Sequence, residues 1–251
     1  MKDLDAAIAD YNKGIEIAPD VNWFYEDRAK AFIMKGDDKA AIADYTKAIE
    51  LEAEHADYYV QRANLLEKEG YLAGAISDMS KAIELKPKNG WQYYRRGNLR
   101  FRARSWTDSL FDFRKASELP SNDQDYIRFF IWILRSKLGE QDAATQEMKD
   151  YIKQRKPDPK TDWALKNATF LAGDLSEEDY FKAADTGDDK TKNEQKCEAW
   201  FYAGSKRLIA GEKDKAIEYF KNCVATGVTN FIEYGGAVSE LKALGEQSPA
   251  K

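Results

Sequence analysis

The sequence predicts an all-α fold, a right-handed superhelical solenoid of helix-turn-helix repeats finished by a C-terminal capping helix. Three observations carry this reading. Ala41, Ala75 and Ser109 stand 34 residues apart, and Gly36 and Gly70 keep the same step. Ala48, Ala82 and Ala116 repeat it a third time. A fixed period of this length belongs to a helical pair, a unit that buries its apolar face only by stacking on its neighbours.

The elements follow in chain order. Residues 1–21 read as the second helix of a truncated repeat, because Ala7, Tyr11 and Gly14 lie 34 residues before Ala41, Tyr45 and Ala48. The missing partner helix implies a piece of a longer protein, with the segment before Met1 carrying that helix and any targeting sequence. Residues 22–122 hold three regular repeats: Asn22 to Glu54, His55 to Asn89 and Gly90 to Asn122. Each opens with an aromatic-led helix (Tyr25, Tyr59, Tyr93) carrying Arg28-Ala29, Arg62-Ala63 or Arg96-Gly97. Small residues mark where two helices must approach closely, and tyrosines fill the wider gaps. Asp10, Asp44, Asp78 and Asp112 recur in step with Arg28, Arg62 and Arg96, a pattern that predicts Arg–Asp pairing between helices in preference to a ligand stripe.

After Asp125 the register slips by one residue, since Gly139 and Ala144 lie 69 residues after Gly70 and Ala75. Residues 123–158 form a degenerate repeat. Its first helix, Tyr126 to Leu138, is apolar nearly all round, which predicts burial on more than one side. Its second, Gln141 to Lys153, ends before Pro157 and Pro159. A short helical pair fills 159–186, with Ser176 capping Glu177 to Ala184. Residues 187–196, within the polar stretch Thr186 to Lys196, are expected to be an exposed loop. Residues 197–228 restore a clean repeat on Trp200, Gly204, Gly211, Ala216, Phe220 and Cys223. The capping helix spans 229–245, and 246–251 is a tail. Gly235 and Gly236 each weaken that last helix by roughly 1 kcal/mol relative to alanine, and close contact with a neighbouring helix would account for both.

The small and aromatic positions of the regular units, with the second-helix pattern A-I-x-D-x-x-x-A-I, resemble the tetratricopeptide repeat. In the second half, Asp125-Tyr126 before the Trp132 helix, Phe170 to Glu177, and Val228-Thr229-Asn230-Phe231-Ile232-Glu233 look like the NlpI-type bacterial tetratricopeptide lipoproteins. That likeness covers Asp125 to Leu244. It implies an adaptor in the bacterial envelope or periplasm that brings peptidoglycan hydrolases and a processing protease together. The chain departs from the family in having no lipid-bearing cysteine near Met1, and the cytoplasm is the alternative setting.

Composition narrows the function. There are 39 basic and 44 acidic residues, a net charge of −5, so nucleic acid is not an expected partner. A mean hydropathy of −0.70 suits a thin array with much exposed surface, and there is no apolar run long enough to span a membrane. No G-x-S-x-G, H-E-x-x-H, Walker-type or C-x-x-C motif occurs, and His55 is the single histidine. No enzyme activity, metal or other cofactor is therefore expected. Cys197 and Cys223 sit in one late repeat and read as small buried thiols.

The expected work is non-catalytic scaffolding, with a peptide segment or partner protein held in the concave groove. The resemblance lines that groove with the first helix of each pair: Trp23, Glu26, Lys30 and Ile33, then Asp57, Val60, Asn64 and Glu67, then Trp91, Tyr94, Asn98, Phe101 and Arg102. The candidate site is Trp23, Glu26, Lys30, Asn64, Trp91, Tyr94, Asn98 and Arg102. Asparagine amides can donate to and accept from a peptide backbone at once, and the aromatics offer flat apolar area at low entropic cost. Clamps for chaperone tails place Lys before Asn on the first helix. Glu26 and Lys30 break that pattern, so a C-terminal carboxylate is not the expected ligand. The alternative is an interaction appendage of a larger enzyme or secretion machine, working through its convex face or ends.

Overall fold

The computed structural model describes residues 3–120, 124–155 and 162–246. Among these residues there are fourteen α-helices and no strand, which is the all-α class the period predicts. No described helix is long and apolar enough to cross a membrane. The chain divides into two compact units, Met1–Leu99 and Arg100–Lys251.

The first unit contains α1 (Leu4–Ile17), α2 (Asn22–Lys35), α3 (Asp38–Leu51), α4 (Ala56–Lys68), α5 (Leu72–Leu85) and most of α6 (Gly90–Arg102). Aspartates start two of them: Asp3 and Asp37 accept from the backbone N–H groups of Ala6 and Ala40, satisfying donors that a helix cannot pair internally. Gly36 ends α2 with φ +81°, and the Asp37 N–H reaches back to the Phe32 carbonyl. Gly70 repeats the arrangement, with the Tyr71 N–H on Leu66. This is the left-handed C-terminal turn that glycine enters without a Cβ penalty. Each hairpin then closes on fully buried alanines: Ala29, Ala41 and Ala48, then Ala63, Ala75 and Ala82. Tyr25, Tyr45 and Tyr58 fill the space the alanines leave.

The arginine ladder is structural. Arg28 donates to both carboxylate oxygens of Asp44 at 2.9 and 2.6 Å, and Arg62 does the same to Asp78 at 2.8 and 2.7 Å. The remaining nitrogen of each reaches the second helix of the preceding repeat: Arg28 to Asn12, Arg62 to Thr46 and, one step later, Arg96 to Ser80, at 2.6, 3.1 and 3.0 Å. The guanidinium forks of Arg28 and Arg62 thus tie their own repeats to the ones before them, a geometry that lysine could not reproduce.

The second unit holds the end of α6, then α7 (Trp106–Glu118), α8 (Gln124–Lys137), α9 (Gln141–Gln154), α10 (Trp163–Leu171), α11 (Glu177–Ala184), α12 (Asp189–Ile209), α13 (Lys213–Ala225) and α14 (Ile232–Ala243). Helix α8 packs against α7, α9, α10 and α12, which is why Ile127 and every residue from Phe129 to Leu134 are buried. Phe130 lies edge-on to Phe101 at 5.1 Å, stacks on Phe113 at 5.2 Å and meets Phe201 at 5.8 Å. Asp162 and Ser176 cap α10 and α11. Tyr180 is stacked between Trp163 and Phe170 at 5.3 and 4.0 Å. Cys197 and Cys223 are free and buried.

Two expectations need correction. The expected loop at 187–196 is largely helix, because α12 starts at Asp189, with the Asp188 carboxylate accepting from the Thr191 N–H at 2.7 Å. The stretch is polar because its turns face solvent, and lysine, glutamate and glutamine are good helix formers. The paired glycines of α14 also differ. A Cβ on Gly236 would lie 2.7 Å from the Phe201 ring, whereas one on Gly235 meets only the Arg102 side chain at 3.5 Å. Close contact therefore explains Gly236 alone. Pro157 and Pro159 lie outside the described residues.

Candidate functional site

The first helices of the repeats in the first unit are α2, α4 and α6. The charge of Glu26 on α2 acts on the Tyr58 hydroxyl on α4. On the next step, Arg95 of α6 donates to Asn64 Oδ1 at 3.1 Å and to Glu67 at 2.6 Å, both on α4. Along this row the candidate residues occupy three environments.

Trp23 and Trp91 are the exposed aromatics of the row, at 49% and 40%. Trp23 lies against Phe24 with ring centroids 3.8 Å apart, and the Arg95 guanidinium sits 5.8 Å from the Trp91 ring centroid. Both rings are held by a neighbour while much of their surface stays in water. Tyr94 is half-buried.

Glu26 and Lys30 form an ion pair at 2.7 Å, and Asp27 is a second carboxylate on Lys30 at 3.0 Å. The hydrogen bond that Lys30 donates to Glu26 raises the Lys30 pKa, so its ammonium stays charged. Burial, then the charge of Glu26, pushes the Tyr58 hydroxyl up to about 12. Tyr58 therefore stays protonated near neutrality.

The asparagines diverge. Asn64 is half-buried and its Oδ1 is engaged by Arg95. Asn98 is only 6% exposed, and neither of its amide atoms has a hydrogen-bond partner. Residues 96 to 99 of α6 are all buried, so the step that makes Asn98 equivalent to Asn64 does not give it equal access. An unpaired buried amide is unusual enough to mark the position. Val60 and Phe101, expected on the groove, are core residues at 7% and 2% exposure. Arg102 belongs to the second unit, where its side chain runs over Gly235 and its carbonyl accepts from Ser239 at 2.6 Å. Sequence reasoning missed Asp27 and Tyr58 and gave Arg95 no bridging role. The last was visible in part, because Asn64 and Glu67 lie one helical turn apart and need a donor.

The sequence model of the tetratricopeptide repeat family matches residues 1–21, 24–55 and 56–89, so these segments carry tetratricopeptide repeats. Among solved structures the chain is similar to a tetratricopeptide repeat protein from Parabacteroides merdae, with 17% identity and a TM-score of 0.56 over 95% of this chain and 93% of that one. It is also similar to YrrB, described as a tetratricopeptide repeat protein with an unusual peptide-binding site. There the identity is 17% and the TM-score 0.52 over 89% of this chain and 95% of that one. A third likeness is to MamA, at 19% identity and a TM-score of 0.53, covering 60% of this chain and 88% of that one. At these identities the likeness concerns the fold.

Proposed function

We propose that the protein is a non-catalytic scaffold that binds a segment of a partner protein across α2, α4 and α6 of the first unit. The observation that carries this is the pair of part-exposed tryptophans, Trp23 and Trp91, at the same repeat position on the first and third helices of one row. Half-exposed tryptophans held by a neighbour are the groups that contribute most to protein interfaces. Between them, Lys30 with its two carboxylates and Arg95 with Asn64 and Glu67 supply charged and amide groups for orienting a bound chain. Asn64 remains a candidate backbone contact through its amide nitrogen. Asn98 would join only if binding opened its surroundings. Arg102 is left out of the proposed face.

The envelope setting implied by the likeness of Asp125 to Leu244 to NlpI-type lipoproteins nominates the first partners to test, peptidoglycan hydrolases and processing proteases. Titration of such partners by calorimetry, against the native chain and Trp23→Ala, Asn64→Ala and Trp91→Ala variants, decides the reading. Each tryptophan variant should weaken binding about tenfold or more. A partner bound equally well by all three variants would remove the assignment of this face.

A further inference from the structure

Cys197, in the middle of α12, and Cys223, in the last turn of α13, belong to the two arms of one helical hairpin, and their Sγ atoms are 3.6 Å apart. Both are fully buried. A disulfide requires an S–S distance of about 2.05 Å, so rotation about the side-chain torsions has only a small gap to close. We propose that Cys197 and Cys223 form a reversible dithiol–disulfide pair that locks α12 to α13 when a hydroperoxide oxidises the protein.

The surroundings assign an order to the two sulfurs. The hydrogen bond with Cys223 outweighs burial and holds the Cys197 thiol below the ordinary cysteine range. The Cys223 thiol donates to the Glu233 carbonyl at 3.8 Å, a contact only its protonated form can make, and burial raises it well above that range. Cys197 is therefore the thiolate that attacks, since the thiolate is the nucleophile. Its sulfur takes one oxygen from hydrogen peroxide, breaking the O–O bond and releasing hydroxide, to give a sulfenic acid. The Cys223 sulfur then attacks that sulfur and expels the oxygen as water. In sum, two thiols and one hydrogen peroxide give one disulfide and two waters.

Access comes through the short link after α13. The Thr226 carbonyl in that link is held by the Asn193 side chain at 2.9 Å, and the Cys223 carbonyl accepts from the Thr226 hydroxyl at 2.6 Å. Asn193 lies one helical turn before Cys197 on α12, so loosening this contact opens a way to the attacking sulfur, the kind of local opening that the ends of elements undergo.

The test treats reduced, folded protein with hydrogen peroxide, removes the peroxide, then unfolds and alkylates it with N-ethylmaleimide for mass spectrometry. The expected result is a monomer that loses both alkylation sites together, yields a peptide linked through Cys197 and Cys223, and regains both sites with dithiothreitol. Full alkylation of both thiols, at a peroxide dose that oxidises the unfolded chain, would overturn the proposal, as would a bond between two chains. In Cys223→Ser, dimedone should label Cys197, and in Cys197→Ser it should leave Cys223 unlabelled. The reverse labelling would overturn the assigned order.

Discussion

Arg104 occupies, with φ +61°, the position that Gly36 and Gly70 hold in the two preceding repeats, and its guanidinium lies 2.8 Å from the carboxylate of Glu240. Glu240 comes from α14 and is 1% exposed. Its second cation is Lys137, also at 2.8 Å. The 34-residue step therefore continues in the backbone, where Arg104 makes the same turn as the glycines, with the Ser105 N–H on the Arg100 carbonyl. The side chain that replaces glycine brings the charge that the buried carboxylate needs.

Restoring the usual turn residue should consequently destabilise the protein. Arg104→Gly removes about 1–2 kcal/mol of left-handed strain, but it leaves a buried carboxylate with one cation where there were two. Breaking a buried pair from one side costs about 3–5 kcal/mol, and the retained Lys137 moderates this. The expected outcome is a net loss of about 1–3 kcal/mol in chemical denaturation. A gain in stability would show that strain outweighs pairing at this turn.

The Arg62 fork should be worth more than an exposed ion pair. Arg62→Ala strands the Asp78 carboxylate, whose side chain is 7% exposed, and cuts the link to Thr46. A loss of about 3 kcal/mol is expected. Arg62→Lys should recover less than half of it, because an ammonium cannot span both carboxylate oxygens and Thr46 together. Urea unfolding of Arg62→Ala, Asp78→Ala and the double variant gives the coupling energy. A coupling near zero would reduce the ladder to coincidence of spacing.

The repeat architecture was legible because its determinants are local and recur: Ala41 and Ala75 must be small wherever two helices meet, and Tyr126 to Leu138 is too apolar to have an exposed side. The Arg–Asp pairing was legible for the same reason. Access was not. Asn64 and Asn98 are equivalent in the sequence, and only packing around α6 separates a half-buried amide from an enclosed one. Polarity also misled at 187–196, since it reports solvent contact and leaves helix and loop undistinguished. The bridging of Arg95 to Asn64 and Glu67 joins residues 31 and 28 positions apart, off the repeat step, so periodicity could not reveal it.

Adjacent glycines in α14 should respond with opposite sign. At Gly235 an added methyl makes an ordinary contact with the flexible Arg102 side chain, so Gly235→Ala should gain up to about 1 kcal/mol from helix propensity. At Gly236 the methyl would press on the Phe201 ring, itself fixed between Phe101 and Phe130. Gly236→Ala should lose about 1–3 kcal/mol by overpacking. Thermal melts of the two variants give the comparison directly, and a shift in the same direction for both would contradict the packing described for α14.

Stability should fall as pH rises from about 4.5 to about 7. Glu233 is fully enclosed, with the Tyr202 hydroxyl donating to it at 2.7 Å, and burial pushes its pKa up to about 7. Glu198, on α12, is also raised, by burial first and then by the charge of Glu233, despite donors from Trp163, Asn167 and Tyr126. A carboxyl whose folded pKa exceeds its unfolded value holds its proton more tightly when folded. The stability it contributes is complete below the unfolded pKa and is lost as pH climbs through the folded one. For Glu233 alone the loss amounts to about 3 kcal/mol, and Glu198 carries the decline further. The Glu233→Gln variant cannot ionise and keeps an acceptor for Tyr202, so its stability should vary less over this interval whatever its absolute value. Denaturant midpoints at pH 5, 6, 7 and 8 for both proteins measure the slope, and parallel curves would mean that Glu233 titrates in the fold as it does in the unfolded chain.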